Sequence, residues 1–149
     1  LAGDIRLLAA AAEAGELVAA KDVSMAGLVG SLGMLLEWRR AGAVVDLDAL
    51  PRPAGVDLAQ WLVCFPAYAF LLCAATERAD ACAARFRERG LTCQRIGTLD
   101  SSGLVRLRRG AELATVLDLS REPVTGLAGE ETGRPASGQP GSRLPDAGR

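Results

Sequence analysis

The sequence predicts an α+β domain, layered as in α/β folds, in which a mixed β-sheet of about four to six strands packs against two main helices. Three observations carry this prediction. Apolar residues at helical spacing occur in few windows, most clearly through Leu28, Leu32, Leu35 and Leu36. Short apolar runs such as Val44-Val45 alternate with those windows and are bounded by Gly, Pro, Asp and Ser. The chain has 149 residues, 50% hydrophobic and 23% charged, which fits one globular domain with a tail and excludes wholesale disorder.

Each element can be justified in order. Asp4 reads as the cap of a first helix over about 5–14, stopped by Gly15. An extended segment follows over 17–23. Ser24 is a natural N-cap for a second helix over about 26–40, which Gly42 ends and whose negative terminus Arg39 and Arg40 suit. Gly27, Gly30 and Gly33 lie within that helix at about 1 kcal/mol each relative to alanine. Close packing against a sheet is one reason for them; room for a ligand at Gly27 is another.

Val44, Val45 and Leu47 mark a strand over 43–47, and Pro51-Arg52-Pro53 a rigid connection. Asp57 starts a short helix, with Gln60 as its capping-box partner. The apolar run 67–75 reads as a central strand buried on both faces. Thr76 caps a helix over about 77–89, with Ala79, Cys82, Ala83 and Phe86 as its buried stripe and Gly90 as its stop. Strands are expected over 91–99, 104–107 and 113–117, with Asp100-Ser101-Ser102-Gly103 as a hairpin turn and Arg109-Gly110 as another. Residues 128–149 hold five Gly, three Pro and one Leu, too little apolar surface to offset ordering. The expected organisation is therefore a domain over 1–127 and a disordered tail over 128–149.

Composition narrows the chemistry. Histidine and asparagine are absent, which removes histidine acid–base catalysis, His-activated nucleophiles and histidine metal ligation. A formal net charge of -1 argues against a nucleic-acid or anionic-membrane surface. The stretch 61–75 is too short to span a bilayer and reads as buried core. Cys64, Cys73, Cys82 and Cys93 are spaced by 9, 9 and 11, match no zinc pattern, and read as reduced core thiols of a cytoplasmic protein. Trp38, Trp61, Phe65, Tyr68, Phe70 and Phe86 read as core and rim. The chain opens at Leu1 without a basic n-region, so it reads as a fragment or the end of a longer product, with no signal peptide.

One constellation stands out: Lys21, Asp22, Ser24 and Gly27, where a strand turns into a helix. A helix start presents unpaired N–H groups and partial positive charge, which suit phosphate. Ser24 could donate its hydroxyl and Gly27 give backbone access. Asp22 could accept from a substrate hydroxyl or amine, or share a divalent metal with phosphate oxygens. Lys21 would add a point charge. The structural alternative stays open: Ser24 caps, Asp22 stabilises the helix end and Gly27 packs. No GxxxxGK or GxGxxG is present. Arg106, Arg108 and Arg109 read as a solvated edge-strand face, with an anion site as the alternative.

The order of these elements resembles the C-terminal domain of the aminoimidazole ribonucleotide synthetase (AIR synthase) superfamily, PurM-like proteins that include selenophosphate synthetase, thiamine-monophosphate kinase and the hydrogenase maturation dehydratase. Lys21-Asp22-Val23-Ser24-Met25-Ala26-Gly27-Leu28 looks like the Asp-x-Ser/Thr-x-x-Gly-Leu signature. The Phe65–Leu72 run, the helix end at Arg85–Gly90 and Ile96-Gly97-Thr98-Leu99 lie where the family has its apolar strand, helix end and Ile-Gly strand end. The resemblance covers about 4–127 and is greatest to the AIR synthase-related branch. It implies ATP-dependent phosphoryl transfer to a small molecule. It also implies ATP and Mg2+ held mainly by an N-terminal domain absent from this chain, supplied upstream or by a separate subunit, and a homodimer. Asp22, Ser24, Gly27 and Lys21 would face substrate or phosphate, and the chain alone would be inactive. The other reading is a non-catalytic binding or assembly module of the same fold.

Overall fold

A computed structural model describes residues 2–126; the tail expected over 128–149 lies outside them. The elements are α1 (Ala2–Glu13), β1 (Ala19–Asp22), α2 (Gly27–Glu37), β2 (Gly42–Asp46), α3 (Leu58–Leu62), β3 (Phe70–Cys73), α4 (Thr76–Glu88), β4 (Gly97–Asp100), β5 (Leu104–Arg109) and β6 (Glu112–Asp118). A four-stranded mixed sheet has the order β4-β2-β5-β6, with β2 and β5 parallel and the other pairs antiparallel. Strands β1 and β3 form an antiparallel ribbon of their own, in which Asp22 stands opposite Phe70. The α+β class and the mixed sheet match the sequence prediction.

Helix α2 is the centre of the main core. Its Leu28, Leu32 and Leu36 are buried with Ala43, Val45, Leu71 and Val105. Each such leucine contributes on the order of 2 kcal/mol by leaving water. Gly33 allows the close approach to the sheet that its small size suggests: an added Cβ would lie 2.8 Å from Leu117 and 2.9 Å from Val124. A second cluster joins Ala11 and Leu17 to Cys82 and Phe86, the stripe expected on α4. Strand β3 lies between the two, with Leu71 in the first cluster and Leu72 packed on the second.

The helix stops follow local chemistry. Gly15 (φ +68°) closes α1, with Glu16 N–H bonding Ala11 and Gly15 N–H bonding Ala12. Gly90 closes α4 in the same pattern, through Leu91 to Phe86 and Gly90 to Arg87. Asp57 caps α3 as expected, accepting from Ala59 (2.9 Å) and Gln60 (3.1 Å).

Several expectations are corrected. Asp4 lies inside α1 and binds Arg89 at 2.6 Å, so it ties two helices together rather than capping one. Ala75 occupies the N-cap of α4 with no side-chain bond, and Thr76 is already helical. Helix α2 ends at Glu37, and the left-handed residue that turns the chain is Arg40 (φ 48°), not Gly42. The run 67–75 is not a central strand: its strand is Phe70–Cys73, in the two-stranded ribbon, and Tyr68 and Phe70 are exposed. Of the aromatics expected as core and rim, Phe86 is core and Trp38, Phe65 and Tyr68 are exposed. Residues 91–96 are irregular, and β4 begins at Gly97.

Asp100–Gly103 does not join neighbouring strands, because β2 is inserted between β4 and β5. The connection passes over the start of β2 at Gly42, where an added Cβ would collide with Ser102 Oγ and Asp100 Oδ1 and lie 2.9 Å from Leu104 O. Glycine is required there by space, not as a helix stop.

Candidate functional site: the start of helix α2

Strand β1 delivers Lys21 and Asp22 to the point where the chain turns into α2. The main chain continues the pairing for one more residue, with Val23 N–H donating to Ala69 O at 2.9 Å. Residues 24–26 then turn, and Gly27 N–H donates to Ser24 O at 2.9 Å. The N-cap of α2 is Ala26, which has no side-chain acceptor to offer. The first turn therefore keeps the donor character of an uncapped helix start.

Ser24 is not the cap. Its N–H donates to Ser31 Oγ at 2.9 Å, and the two hydroxyls lie 3.3 Å apart. Ser31 is fully buried on α2, so this pair pins the turn to the helix one turn along. The competition is local: a buried hydroxyl needs a partner, and Ser24 satisfies it.

Gly27 adopts φ +66°, and an added Cβ would stand 2.5 Å from Leu62 O and 2.8 Å from Val63 Cα. The space beside Gly27 is filled by the end of α3, so packing already accounts for the glycine. Asp22 is the open member of the set: its side chain is 61% exposed and its carboxylate is held by Lys21 at 3.1 Å. The structure thus brings Lys21, Asp22, Ser24 and Gly27 to one corner, with Asp22 facing out and Ser24 turned towards Ser31.

Among the described residues there is no group of three or more His, Cys, Asp or Glu placed to hold a metal ion. No helix among them is long and apolar enough to cross a membrane. The cysteines are free thiols, and burial raises the thiol values of Cys73, Cys82 and Cys93. A shallow surface depression lined by Arg87, Gly90, Leu91, Thr92, Cys93 and Gln94 shares no residue with the corner.

The arginine group is corrected in strand position, while Arg108 and Arg109 are exposed as expected. Strand β5 is interior, between β2 and β6. Arg106 pairs with Asp100, and Arg108 with Asp46 at 2.7 Å. The Arg108 bond holds the Asp46 carboxyl below its ordinary value, and Ser102, with Arg106, does the same for Asp100. Both ion pairs run across the sheet, although Arg106 Nε is buried without a hydrogen-bond partner.

Sequence reasoning missed Glu37. It is 2% exposed at the end of α2 and accepts from Thr125 N–H (2.9 Å), Thr125 Oγ1 (2.7 Å) and Gly126 N–H (2.9 Å). Burial pushes its carboxyl up, but the bonds from Thr125, Gly126 and Val124 outweigh it and hold the value low. No local pattern marks this residue, because its partners lie 88 and 89 positions away.

Comparison with known proteins places this geometry. Residues 3–110 match the family model described as "AIR synthase related protein, C-terminal domain". An uncharacterized protein of Synechocystis sp. is 41% identical over 112 residues, 75% of this chain and 35% of the relative. An uncharacterized protein of Methanocaldococcus jannaschii is 32% identical over 106 residues, 71% of this chain and 33% of the relative. The chain thus spans about a third of the length of the curated relatives it matches. Among solved structures, PurL of Thermotoga maritima complexed with ATP superposes with TM-score 0.71 at 18% identity, covering 93% of this chain and 23% of PurL. Hydrogenase maturation protein HypE gives 0.61 at 23% identity, covering 74% and 40%. These two likenesses speak to the fold. With the family match spanning most of the described residues, the chain belongs to the AIR synthase related family, as its C-terminal domain.

Proposed function

We propose that this domain is the substrate- and phosphate-facing part of an ATP-dependent enzyme that transfers a phosphoryl group to a small molecule, and that it is inactive alone. The observation that carries the reading is the start of α2: a helix terminus without a side-chain cap, beside an exposed carboxylate, within an AIR synthase related domain. PurL has been solved with ATP, ADP and AMPPCP, which supports a nucleotide in the complete protein. ATP would supply the phosphoryl group. Mg2+ does not fit this chain's residues alone and belongs with the ATP-binding N-terminal domain that the reading requires, upstream or as a separate subunit.

In this reading the residues of the corner bind and orient. The uncapped first turn of α2 stabilises negative charge on an incoming phosphate. Asp22 accepts a hydrogen bond from a substrate hydroxyl or amine, and Lys21 balances its charge. Ser24 and Gly27 fix the shape of the turn through Ser31 and the end of α3. The reading places the protein in the cytoplasm, in keeping with four unpaired thiols, and as a homodimer.

The test compares ATP·Mg turnover by this 149-residue chain with turnover by a hybrid in which it replaces the matched segment of the Synechocystis relative. Turnover is expected only in the hybrid, and Asp22→Ala should abolish it. Full activity of Asp22→Ala removes Asp22 from the site; turnover by the short chain removes the need for a partner domain. A second reading, a non-catalytic binding or assembly module, draws on the filled space beside Gly27. It predicts a folded hybrid with no turnover at all.

A further inference from the structure

Five large apolar side chains stand in solvent around the same corner: Met25 (81% exposed), Val63 (70%), Phe65 (56%), Tyr68 (86%) and Phe70 (45%). The main chain brings them together. Phe70 stands opposite Asp22, Val23 bonds Ala69, and the Gly27 backbone abuts Leu62 and Val63, so the 23–27 turn and the 62–70 segment form one surface. Trp38, 67% exposed, lies at the opposite end of α2.

We infer that this aromatic face is the docking surface for the remainder of a longer polypeptide, the part that makes up about two thirds of each curated relative. The inference rests on the reading above only in that the domain works within such a polypeptide. Exposing five large apolar residues together is costly for a free-standing domain. Three of them are aromatics, each about 150–250 Å² in full; the roughly half or more of that still exposed, with Met25 and Val63, makes the cluster the apolar centre of an interface of ~800 Å² per side. The matched segment is only 35% and 33% of the relatives, so a partner of ample size exists in each of them. Lys21 and Asp22, the charged pair beside Phe70, neutralise each other, so the face calls for an apolar complement. Docking there would place the partner beside the start of α2.

Hydrogen exchange of the 63–69 amides, in the absence of nucleotide, tests this. The 149-residue chain is compared with the Synechocystis hybrid. Exchange should slow on the order of tenfold or more in the hybrid. The double substitution Phe65→Asp with Tyr68→Asp should restore fast exchange, whereas Trp38→Asp should leave protection intact. Equal rates in the two chains overturn the inference, as does protection that survives the double substitution. Protection that appears in the short chain as its concentration rises assigns the face to a second copy and also overturns it. If the hybrid is insoluble, the natural Synechocystis protein against its own matched segment gives the same decision. Protection without ATP turnover would sink the enzymatic reading and leave the docking surface standing.

Discussion

The two ends of helix α2 are built to opposite rules. At its C-terminal end the chain closes on itself. Glu37 is buried and takes three donors from residues 125 and 126, and Arg40 accepts a left-handed backbone to complete the turn. A carboxylate at the negative end of a helix works against the macrodipole, yet its bonds make it the anchor of the last described segment. At the N-terminal end the first turn has no side-chain cap, Asp22 is in solvent, and five apolar residues surround the turn without cover. One end buries its carboxylate on its own chain; the other leaves Asp22 and five apolar side chains in solvent. The difference separates residues that hold the fold from residues that the fold leaves exposed.

The largest expected effect breaks this division. Gly27 lies at the open end but is held by packing, so Gly27→Val should destabilise by about 2–4 kcal/mol through the left-handed backbone and the clash with Leu62 and Val63. Urea unfolding measures it; a cost under 0.5 kcal/mol would mean that α3 moves aside freely.

Glu37→Ala comes next, at about 2–3 kcal/mol, for the loss of charge-assisted bonds to Thr125 and Gly126. The same residue gives a pH signature. Its folded value lies below the ordinary 4.5, so its contribution is present in full above that pH and is lost as pH falls through the folded value. Glu37→Gln should flatten the acid limb of stability below pH 4.5. An unchanged acid limb would assign the acid sensitivity to other carboxylates.

Arg40→Gly should raise stability by about 0.5–1 kcal/mol, since glycine takes φ 48° without strain. A loss of stability would show that the arginine side chain contributes more than its backbone costs. The smallest effect belongs to Asp22→Ala, below about 0.5 kcal/mol, because its pair with Lys21 is solvent-screened. A larger loss would make Asp22 a structural residue and erase the contrast between the two ends.

What was legible in the sequence follows the range of the interactions. Gly15, Gly90 and Asp57 act within five residues of their partners, and each ends or starts its helix as expected. The apolar spacing of α2 is likewise local, and its leucines are buried as a stripe. Ser24 shows the limit: the cap rule reads three residues ahead, but Ser31, seven ahead and buried, wins the bond. The insertion of β2 between β4 and β5 depends on pairing across more than fifty residues, so a genuine turn at Asp100–Gly103 was read as a hairpin. The apolar run 67–75 reads as interior because composition does not distinguish a core strand from an exposed apolar surface. At the candidate site, the four residues were legible as a group, while the inward turn of Ser24 and the packing role of Gly27 required the fold.

The most direct measurement is a proton–nitrogen spectrum of the isotope-labelled hybrid, titrated with ATP·Mg and substrate analogues bearing phosphate. The account predicts shifts at Asp22, Leu28 and Val29, with Thr125 and Gly126 unmoved. Turnover with no change at the start of α2, or equal changes at both ends of the helix, would contradict it.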